Sequence, residues 1–257
     1  MTFSQALLRR PAATMVAGIT TAALGLPDYQ LALAQHHQYD LALQAAGLTT
    51  TVLEALPDFP DSVFVEDCAV LAGSLAVLTR PGAGSRRGEE LAIRAALEGI
   101  FSQVLQIEAP ATLDGGDICQ IDDHFLLGVS ARTDRAGAEA LAALLTEKGF
   151  SSEPVDITSW SGILHLKSAI NYLGDGMLLV DERLAWHPAI ARYECILVPQ
   201  QEAYAANSLR VNDRVLVPAG FSLTQKKISQ AGLRTVSLNM SEFQKLDGGL
   251  SCLSLRW

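Results

Sequence analysis

Residues 247–257 place a cysteine after a Gly-Gly pair and before an alternating run of apolar and polar residues. Such a glycine pair allows a tight turn or a close approach of two backbones. The alternation predicts a half-buried strand with Leu253, Leu255 and Trp257 on its buried side and the intervening polar residues on the other. Cys252 would then lie at the mouth of this strand. It is either a nucleophilic thiol or a small buried hydrophobe, as most free cysteines are.

Acidic and imidazole side chains stand at the start of other predicted strand pairs, namely Glu66 with Asp67, Asp114, and His165. A cysteine beside a histidine suits covalent catalysis, because the thiolate is the nucleophile and the imidazole can transfer the proton. Carboxylates that share a pocket need a cation to neutralise them, and a planar guanidinium with five N–H donors fits this requirement. If these turns converge, the sequence predicts a guanidinium site beside a thiol. If they do not, the acids are turn formers and the histidine is a core or surface residue.

The composition restricts the classes of partner. The chain has 257 residues, of which 49% are hydrophobic, so we expect a packed core rather than disorder. A net charge of -9 argues against nucleic acid and anionic membranes and is compatible with a cationic small-molecule substrate. The four cysteines are scattered and form no CxxC pair, which favours free thiols in a reducing compartment, so we expect a cytoplasmic location. The sequence contains no closely spaced set of His and Cys residues that would predict a metal site.

A repeated unit can position these residues. Four times, a polar turn containing Gly or Asn is followed by a strand, a tight hairpin and a second strand, starting near Glu66, Asp114, His165 and Asn207. The units recur at roughly 40 to 50 residues, a period typical of radial or solenoid arrays. The C-terminal stretch and an N-terminal strand ending near Arg9 could form a fifth unit and close a ring. No Pro- or Ser-rich linker interrupts this series, so we expect a single domain over residues 1–257. The alternative to a ring is an ordinary α/β sandwich in which the spacing of the units arises by chance.

Between the units, periodicity and end signals predict the remaining elements. Helices are expected at residues 27–46, 89–100, 134–148 and 224–231, and a strand piece is expected at residues 163–166. Asp134 is expected to cap the third helix and Gly47 to end the first.

Several segments together resemble the dimethylarginine dimethylaminohydrolases, a family of guanidino-group-modifying enzymes with the pentein fold. The resemblance rests on residues 59–67, 80–89, 113–117, 130–133, 164–167 and 247–256, which occur in the family's order over nearly the full chain. It implies a five-bladed, pseudo-symmetric α/β propeller with a central active-site channel. It also implies hydrolysis of Nω-methylated arginine to citrulline and a methylamine through a covalent cysteine thiouronium intermediate.

The same resemblance implies roles for individual residues. Cys252 would attack the guanidinium carbon, and His165 would protonate the leaving amine and then activate water, with Asp114 as the acidic residue near the histidine. The implied substrate contacts are Glu66 and Asp67 at the guanidinium, Asp61, Arg86 and Arg132 at the amino-acid end, and Ile19, Leu246 and Asp247 along the pocket. No cofactor or metal is required, because the guanidinium carbon is already electrophilic.

Two alternatives remain open from the sequence. A sibling enzyme, such as an arginine deiminase, a citrullinase or an amidinotransferase, would use the same cysteine and histidine. A non-catalytic propeller that binds a cationic amino acid would need no thiol chemistry at all. The sequence also leaves open whether the chain forms a homodimer.

Overall fold

In the computed structural model, which describes residues 2–257, short strands form five three-stranded sheets. The strands are β1 Gln5–Arg9, β2 Thr49–Leu53, β3 Ala69–Ala72, β4 Leu75–Leu78, β5 Gln103–Gln106, β6 Ile118–Ile121, β7 His124–Val129, β8 Ser151–Asp156, β9 Ile170–Gly174, β10 Met177–Asp181, β11 Glu194–Val198, β12 Leu209–Val211, β13 Arg214–Pro218, β14 Arg234–Leu238 and β15 Leu255–Arg256. The helices are α1 Tyr29–Ala45, α2 Leu91–Glu98, α3 Arg135–Glu147, α4 Leu166–Ala169, α5 Ser222–Gln230 and α6 Ser241–Gln244.

Every sheet has the same topology. Its middle strand pairs antiparallel with one neighbour and parallel with the other. The sheets are β15-β1-β2, β3-β4-β5, β6-β7-β8, β9-β10-β11 and β12-β13-β14. The first sheet joins the two ends of the chain through the pairs Ala6↔Arg256 and Leu7↔Leu255. The expected fifth unit, built from the C-terminal stretch and the N-terminal strand, is therefore confirmed.

The five sheets close into a ring because each pair of neighbours shares a hydrophobic cluster. In β1, for example, Ala6 and Leu8 pack toward β12 and β13, whereas Leu7 packs toward β4. Successive residues of a strand point to opposite faces, so both faces of these strands are buried. The first strand of each hairpin, together with β15, borders a central cavity of about 260 Å³. The fold is thus a five-bladed α/β propeller, as the repeat and the resemblance predicted.

The four predicted helices are confirmed. The Asp28 carboxylate accepts hydrogen bonds from the amides of Gln30 (2.8 Å) and Leu31 (3.0 Å), so it caps α1. The Asp134 carboxylate caps α3 by accepting the amide of Gly137 at 2.7 Å. None of the helices described within residues 2–257 is both long enough and apolar enough to cross a membrane.

Two local predictions need correction. Residues 163–166 do not form a strand, because the Asp117 carboxylate accepts the Leu166 amide at 2.9 Å and the chain turns there into α4. The C-terminal strand is confirmed, but it spans only Leu255–Arg256 and is not half-exposed. Ser254 is completely buried, because the polar side of this segment faces the ring axis rather than solvent.

Candidate active site

Short helical turns precede the inner strands and carry the functional side chains to one end of the ring. They are the 3₁₀ turns Val65–Cys68, Gly115–Asp117, Gln200–Ala206 and Ser251–Leu253, together with α4. One narrow pocket lies among them and is lined by Ile19, Asp61, Phe64, Asp67, Arg86, Arg132, Leu164, His165, Leu246, Asp247, Gly248 and Cys252. Every site residue predicted from the sequence lines this pocket except Glu66 and Asp114.

Cys252 lies in the turn immediately before β15 and is buried. Its Sγ atom accepts the Gly249 amide at 3.4 Å and lies 3.9 Å from Nδ2 of Asn207. Burial raises the pKa of the Cys252 thiol to about 12, and the nearby carboxylates of Glu66 and Asp67 add to this effect. Cys252 is therefore a thiol in the ligand-free protein, and a bound cation would favour the thiolate.

The Gly-Gly pair before Cys252 permits the close approach that the sequence suggested. A Cβ atom at Gly248 would lie 2.2 Å from the ring of Phe64, and one at Gly249 would lie 2.4 Å from the side chain of Asn207. Both contacts are far shorter than van der Waals distances, so any larger residue at either position would push the turn and its thiol out of place.

His165 immediately precedes α4 and is buried between carboxylates. Its Nε2 atom lies 3.0 Å from Oδ2 of Asp114, and its Nδ1 atom lies 3.9 Å from Oδ1 of Asp67. Burial alone would lower the pKa of His165. Asp67, the hydrogen bond to Asp114 and the charge of Asp117 outweigh burial and raise this pKa to about 9. At neutral pH the side chain is therefore an imidazolium that can donate a proton.

This arrangement predicts the titration of the imidazole. We expect His165 to titrate near pH 9 in the ligand-free protein, and we expect its pKa to fall by about 1 to 3 pH units in Asp67→Asn. The raised pKa also means that the imidazolium's stabilising contribution is complete below about pH 6.5, its ordinary pKa, and is lost as the pH rises through about 9. The measurement is a histidine-selective NMR titration of the two proteins.

His36 provides an internal control for this titration. Burial lowers the pKa of His36 to about 4, and Asp67 makes no contact with it, so its signal should titrate identically in both proteins. Titration of His165 below pH 7 in the unmodified protein would contradict the assigned electrostatics.

Asp114 lies behind His165 rather than in the pocket wall. It is completely buried, its Oδ1 atom accepts the Gly82 amide at 2.9 Å, and its own amide donates to Thr133 Oγ1 at 3.0 Å. Both carboxylate oxygens are thus occupied, one by Gly82 and the other by His165. This arrangement suits Asp114 to orient the imidazole and hold its charge.

Arg86 and Asp67 form a buried ion pair at the pocket wall. Nη1 of Arg86 lies 2.5 Å from Oδ2 of Asp67, and Nη2 lies 2.7 Å from Oε2 of Glu89. The remaining donors of Arg86 reach Glu89 and the carbonyl oxygens of Asp61 and Phe64. Although burial acts in the opposite direction, His165 and Arg86 hold the pKa of Asp67 below its usual value, so this residue supplies a fixed negative charge.

The predicted residues at the amino-acid end have different surroundings. The guanidinium of Arg86 is satisfied within the protein, whereas Arg132 is partly exposed at the pocket and makes no salt bridge to a carboxylate in the described part of the chain. Arg132 is therefore the cation that is available to an incoming anionic group. Both carboxylate oxygens of Asp61 accept the Ile19 amide, at 3.0 and 3.3 Å.

The loop that contains residues 18–21 contributes Ile19 to the pocket wall and is held there by two carboxylates. Asp61 holds Ile19, and Oδ2 of Asp247 accepts the amide of Thr21 at 2.6 Å and its hydroxyl at 3.0 Å. Leu246 lines the pocket beneath this loop and is buried. The three residues that the resemblance placed along the pocket, Ile19, Leu246 and Asp247, thus belong to the loop and its anchor.

Glu66 lies on the other side of the pocket floor. Its Oε1 atom pairs with Nζ of Lys167 and lies 3.1 Å from Nη2 of Arg256, and its Oε2 atom accepts the Ser251 hydroxyl at 2.7 Å. All three charged groups border the central cavity rather than the pocket. Glu66 can therefore influence the chemistry through Ser251, the residue before Cys252, without reaching the pocket itself.

The sequence interpretation assigned no specific role to two residues that support the site. Asp117 accepts the Leu166 amide through Oδ1 and the Ser130 hydroxyl through Oδ2 at 2.7 Å, so it fixes the turn that carries His165. Asn207 contacts both the cysteine turn and α4. The only signals were positional, since Asp117 follows a Gly-Gly pair and Asn207 starts the fourth unit.

One group of side chains within residues 2–257 has the spacing of a metal site. Ligand atoms of Asp67, Asp114 and His165 all lie within 4.8 Å of one another. Because the pKa of His165 is raised, at neutral pH its positive charge offsets one of these two negative charges, and Arg86 pairs with Asp67. A metal ion would have to displace that proton before it could bind.

The chain is similar to known proteins in both sequence and structure. Residues 29–187 match a family model described as arginine deiminase. A dimethylarginine dimethylaminohydrolase of Pseudomonas aeruginosa is 41% identical over 99% of this chain and 100% of its own length. The structure of that organism's enzyme with a Cys→Ser replacement, in complex with citrulline, superposes with a TM-score of 0.97 over 100% of both chains at 41% identity. A second dimethylarginine dimethylaminohydrolase structure, a His→Gly variant as an adduct with S-methyl-L-thiocitrulline, gives a TM-score of 0.96 over 100% of both chains at 41% identity.

Proposed function

Because this chain belongs to the dimethylarginine dimethylaminohydrolase family, we propose that it hydrolyses asymmetric dimethylarginine and monomethylarginine to citrulline and a methylamine. The observation that carries the proposal is a single pocket that contains the buried thiol of Cys252, the imidazolium of His165 and the carboxylate of Asp67. These are the nucleophile, the acid and the anion that a guanidinium substrate needs. The citrulline complex and the thiocitrulline adduct of the two related structures support the same substrate class.

Substrate binding would activate the nucleophile. A guanidinium seated against Asp67 brings a positive charge next to a thiol whose pKa is raised to about 12 by burial and by carboxylates. An opposite charge at close range lowers the pKa of a thiol, so the thiolate would form mainly in the complex, with release of the thiol proton to solvent because His165 is already protonated. The charges around the pocket would therefore keep Cys252 as a thiol in the free protein and favour its thiolate when substrate is bound.

The first half of the reaction forms the intermediate. The Cys252 thiolate attacks the guanidinium carbon and forms a C–S bond. His165, protonated at neutral pH, donates its proton to the methylated nitrogen. The C–N bond then breaks, and the neutral amine leaves a thiouronium on Cys252.

The second half returns the enzyme to its starting state. His165 is now neutral and takes a proton from water, and the resulting hydroxide attacks the thiouronium carbon. The C–S bond breaks, the hydroxyl proton of the intermediate passes to the departing sulfur, and citrulline leaves Cys252 as the starting thiol. Asp114 and Asp67 hold the imidazole in place and stabilise its charged form in both halves.

A product assay tests the proposed reaction. The protein is incubated separately with asymmetric dimethylarginine, monomethylarginine and arginine, and citrulline, the methylamines and ammonia are quantified. We expect citrulline with dimethylamine from the first substrate and with methylamine from the second. The match to an arginine deiminase model makes that activity the second candidate. Citrulline and ammonia from arginine, with no turnover of either methylated substrate, would favour it.

Arg132 is the predicted partner of the substrate carboxylate, because it faces the pocket without a carboxylate partner of its own. We expect Arg132→Leu to raise KM about 10- to 100-fold, which corresponds to the loss of a charged hydrogen bond of about 1.5–3 kcal/mol. We expect kcat to change less than about threefold, because the contact is equally strong in the ground and transition states. Steady-state kinetics with asymmetric dimethylarginine measures both quantities.

The matched control for this variant is Arg87→Leu. Arg87 lies in the same basic segment, donates to the carbonyl of Pro81 and does not line the pocket. Its KM should stay within about threefold of the unmodified value. An unchanged KM in Arg132→Leu would show that the substrate carboxylate binds elsewhere.

We also infer that the chain acts as one domain over residues 1–257 in the cytoplasm. The continuous ring of five shared clusters supports the first inference, and the four free cysteines are compatible with the second. Whether the domain forms a homodimer is decided by light scattering on the purified protein.

A further inference from the structure

Asn207 is a buried asparagine whose carboxamide lies between the nucleophile's turn and α4. Its Oδ1 atom accepts the Ser251 amide at 2.9 Å, and its Nδ2 atom donates to the Lys167 carbonyl at 3.1 Å. A backbone amide can only donate and a carbonyl can only accept, so these two partners fix the orientation of the carboxamide. Its NH₂ group therefore lies on the side of Cys252 Sγ, at 3.9 Å, and of Ser251 Oγ, at 3.2 Å.

The sulfur has few protein donors around it. Within residues 2–257, Sγ of Cys252 accepts only from the Gly249 amide and from Asn207. The charged or titratable groups that act on or neighbour this thiol are the carboxylates of Glu66 and Asp67, the ammonium of Lys167, the imidazolium of His165 and the hydroxyl of Tyr204. The carboxylates of Glu66 and Asp67 disfavour a negative charge on Sγ, so each hydrogen-bond donor that faces Sγ contributes to stabilising the thiolate.

The packing shows that the turn is shaped around Asn207. A Cβ atom at Gly249 would lie 2.4 Å from Cγ of Asn207, so a glycine is required there for the carboxamide to reach the turn. The same carboxamide bridges the turn of Cys252 to the helix that follows His165. It therefore couples the position of the nucleophile to that of the proton donor.

We propose that Asn207 is a further catalytic residue, which donates a hydrogen bond to the Cys252 thiolate as it forms and fastens the nucleophile's turn to the helix behind His165. The part played in turnover rests on the proposed function. The stabilisation of the Cys252 thiolate by Asn207 is independent of the proposed function, because it can be measured without substrate.

The test is the rate at which iodoacetamide alkylates Cys252, followed by peptide mass spectrometry over a range of pH in the full-length protein. Asn207→Asp retains the acceptor for the Ser251 amide and loses the NH₂ donor. We expect its alkylation to be about tenfold slower at every pH below the thiol pKa, because a tenfold change corresponds to one pKa unit. We also expect kcat for methylated arginine to fall about 10- to 100-fold, with KM within about threefold.

Asn171→Asp is the matched control. Nδ2 of Asn171 donates to the same Lys167 carbonyl and to the Ala206 carbonyl, but it makes no contact with Cys252. This variant carries the same change of charge and loses the same type of donor, so its alkylation rate should stay within about threefold of the unmodified rate. If Asn207→Asp does not fold, Asn207→Ser carries the same expectation.

The alkylation profile decides the proposal independently of turnover. An unshifted profile in the Asn207 variant, or an equal slowing in both asparagine variants, would overturn it. Absence of citrulline formation by the unmodified protein would instead refute the proposed function and leave the alkylation result valid.

Discussion

Replacing Cys252 with serine is expected to abolish citrulline formation, with a loss of at least about 10⁴-fold in kcat, the scale seen when a catalytic nucleophile is removed. The contacts on Sγ come from the N–H groups of Gly249 and Asn207, which stabilise an anion but cannot take a proton from a hydroxyl. A serine hydroxyl is much less acidic than a thiol, and the guanidinium charge that favours the thiolate would not ionise it. Citrulline release from asymmetric dimethylarginine, measured by mass spectrometry, is the assay.

Cys195→Ser is the control for this replacement. Cys195 is partly buried against a hydrophobic cluster, and within the described residues its thiol hydrogen-bonds only to the carbonyls of Ile190 and Tyr193. Its activity should stay within about twofold of the unmodified protein, as surface changes usually do. Turnover by Cys252→Ser within about tenfold of the unmodified rate would refute covalent catalysis by this residue.

His165→Gly is expected to reduce kcat by about 10³-fold, within the range of about 10² to 10⁴ for loss of a general acid–base. The imidazole acts twice, first as the acid for the leaving amine and then as the base for water. Substrate binding should survive better than turnover, because Asp67 and Arg132 remain in the pocket. The relative whose histidine was replaced by glycine is described as an adduct with S-methyl-L-thiocitrulline.

Added imidazole provides a control for this second variant. The glycine leaves a space bordered by Asp67 and Asp114 that imidazolium can enter. Partial recovery of kcat with imidazole, and no recovery in Cys252→Ser, would distinguish the lost proton transfer from a lost fold. A kcat within about tenfold of the unmodified value, without imidazole, would contradict the role of His165.

The ring could be predicted from the sequence because its cause is local and repeated. Each blade needs a turn, a hairpin and a returning strand, and these signals recur from Glu66 to Asn207. The pairing of β1 with β15 was expected only as a possible fifth unit that would close the ring. Convergence of Cys252 and His165 in one pocket then followed from the ring.

The surroundings of single side chains could not be predicted in this way. Glu66 and Asp67 are adjacent in the sequence, yet one faces the central cavity and the other faces the pocket. They lie in a 3₁₀ turn, where successive side chains point about 120° apart, so only the tertiary structure decides which one enters the pocket. The pairing of Arg86 with Glu89 likewise depends on the tertiary structure and could not be predicted from the sequence.

The sequence could not show that Asn207 contacts the Cys252 thiol. Asparagine is a common turn former, so its position at the start of the fourth unit indicated only a turn. Its three contacts, with Ser251, Lys167 and Cys252, join segments that are about 40 residues or more apart in the sequence. Such contacts are set by packing of the blades, and no local pattern encodes them.

The most direct test of the account is the intact mass of the protein quenched in acid during steady-state turnover. Asymmetric dimethylarginine and monomethylarginine should give the same added mass, equal to substrate minus the released amine, and peptide mapping should place it on Cys252. The adduct should be absent from Cys252→Ser. Citrulline formation with no covalent species on Cys252 in the unmodified protein would contradict the central claim.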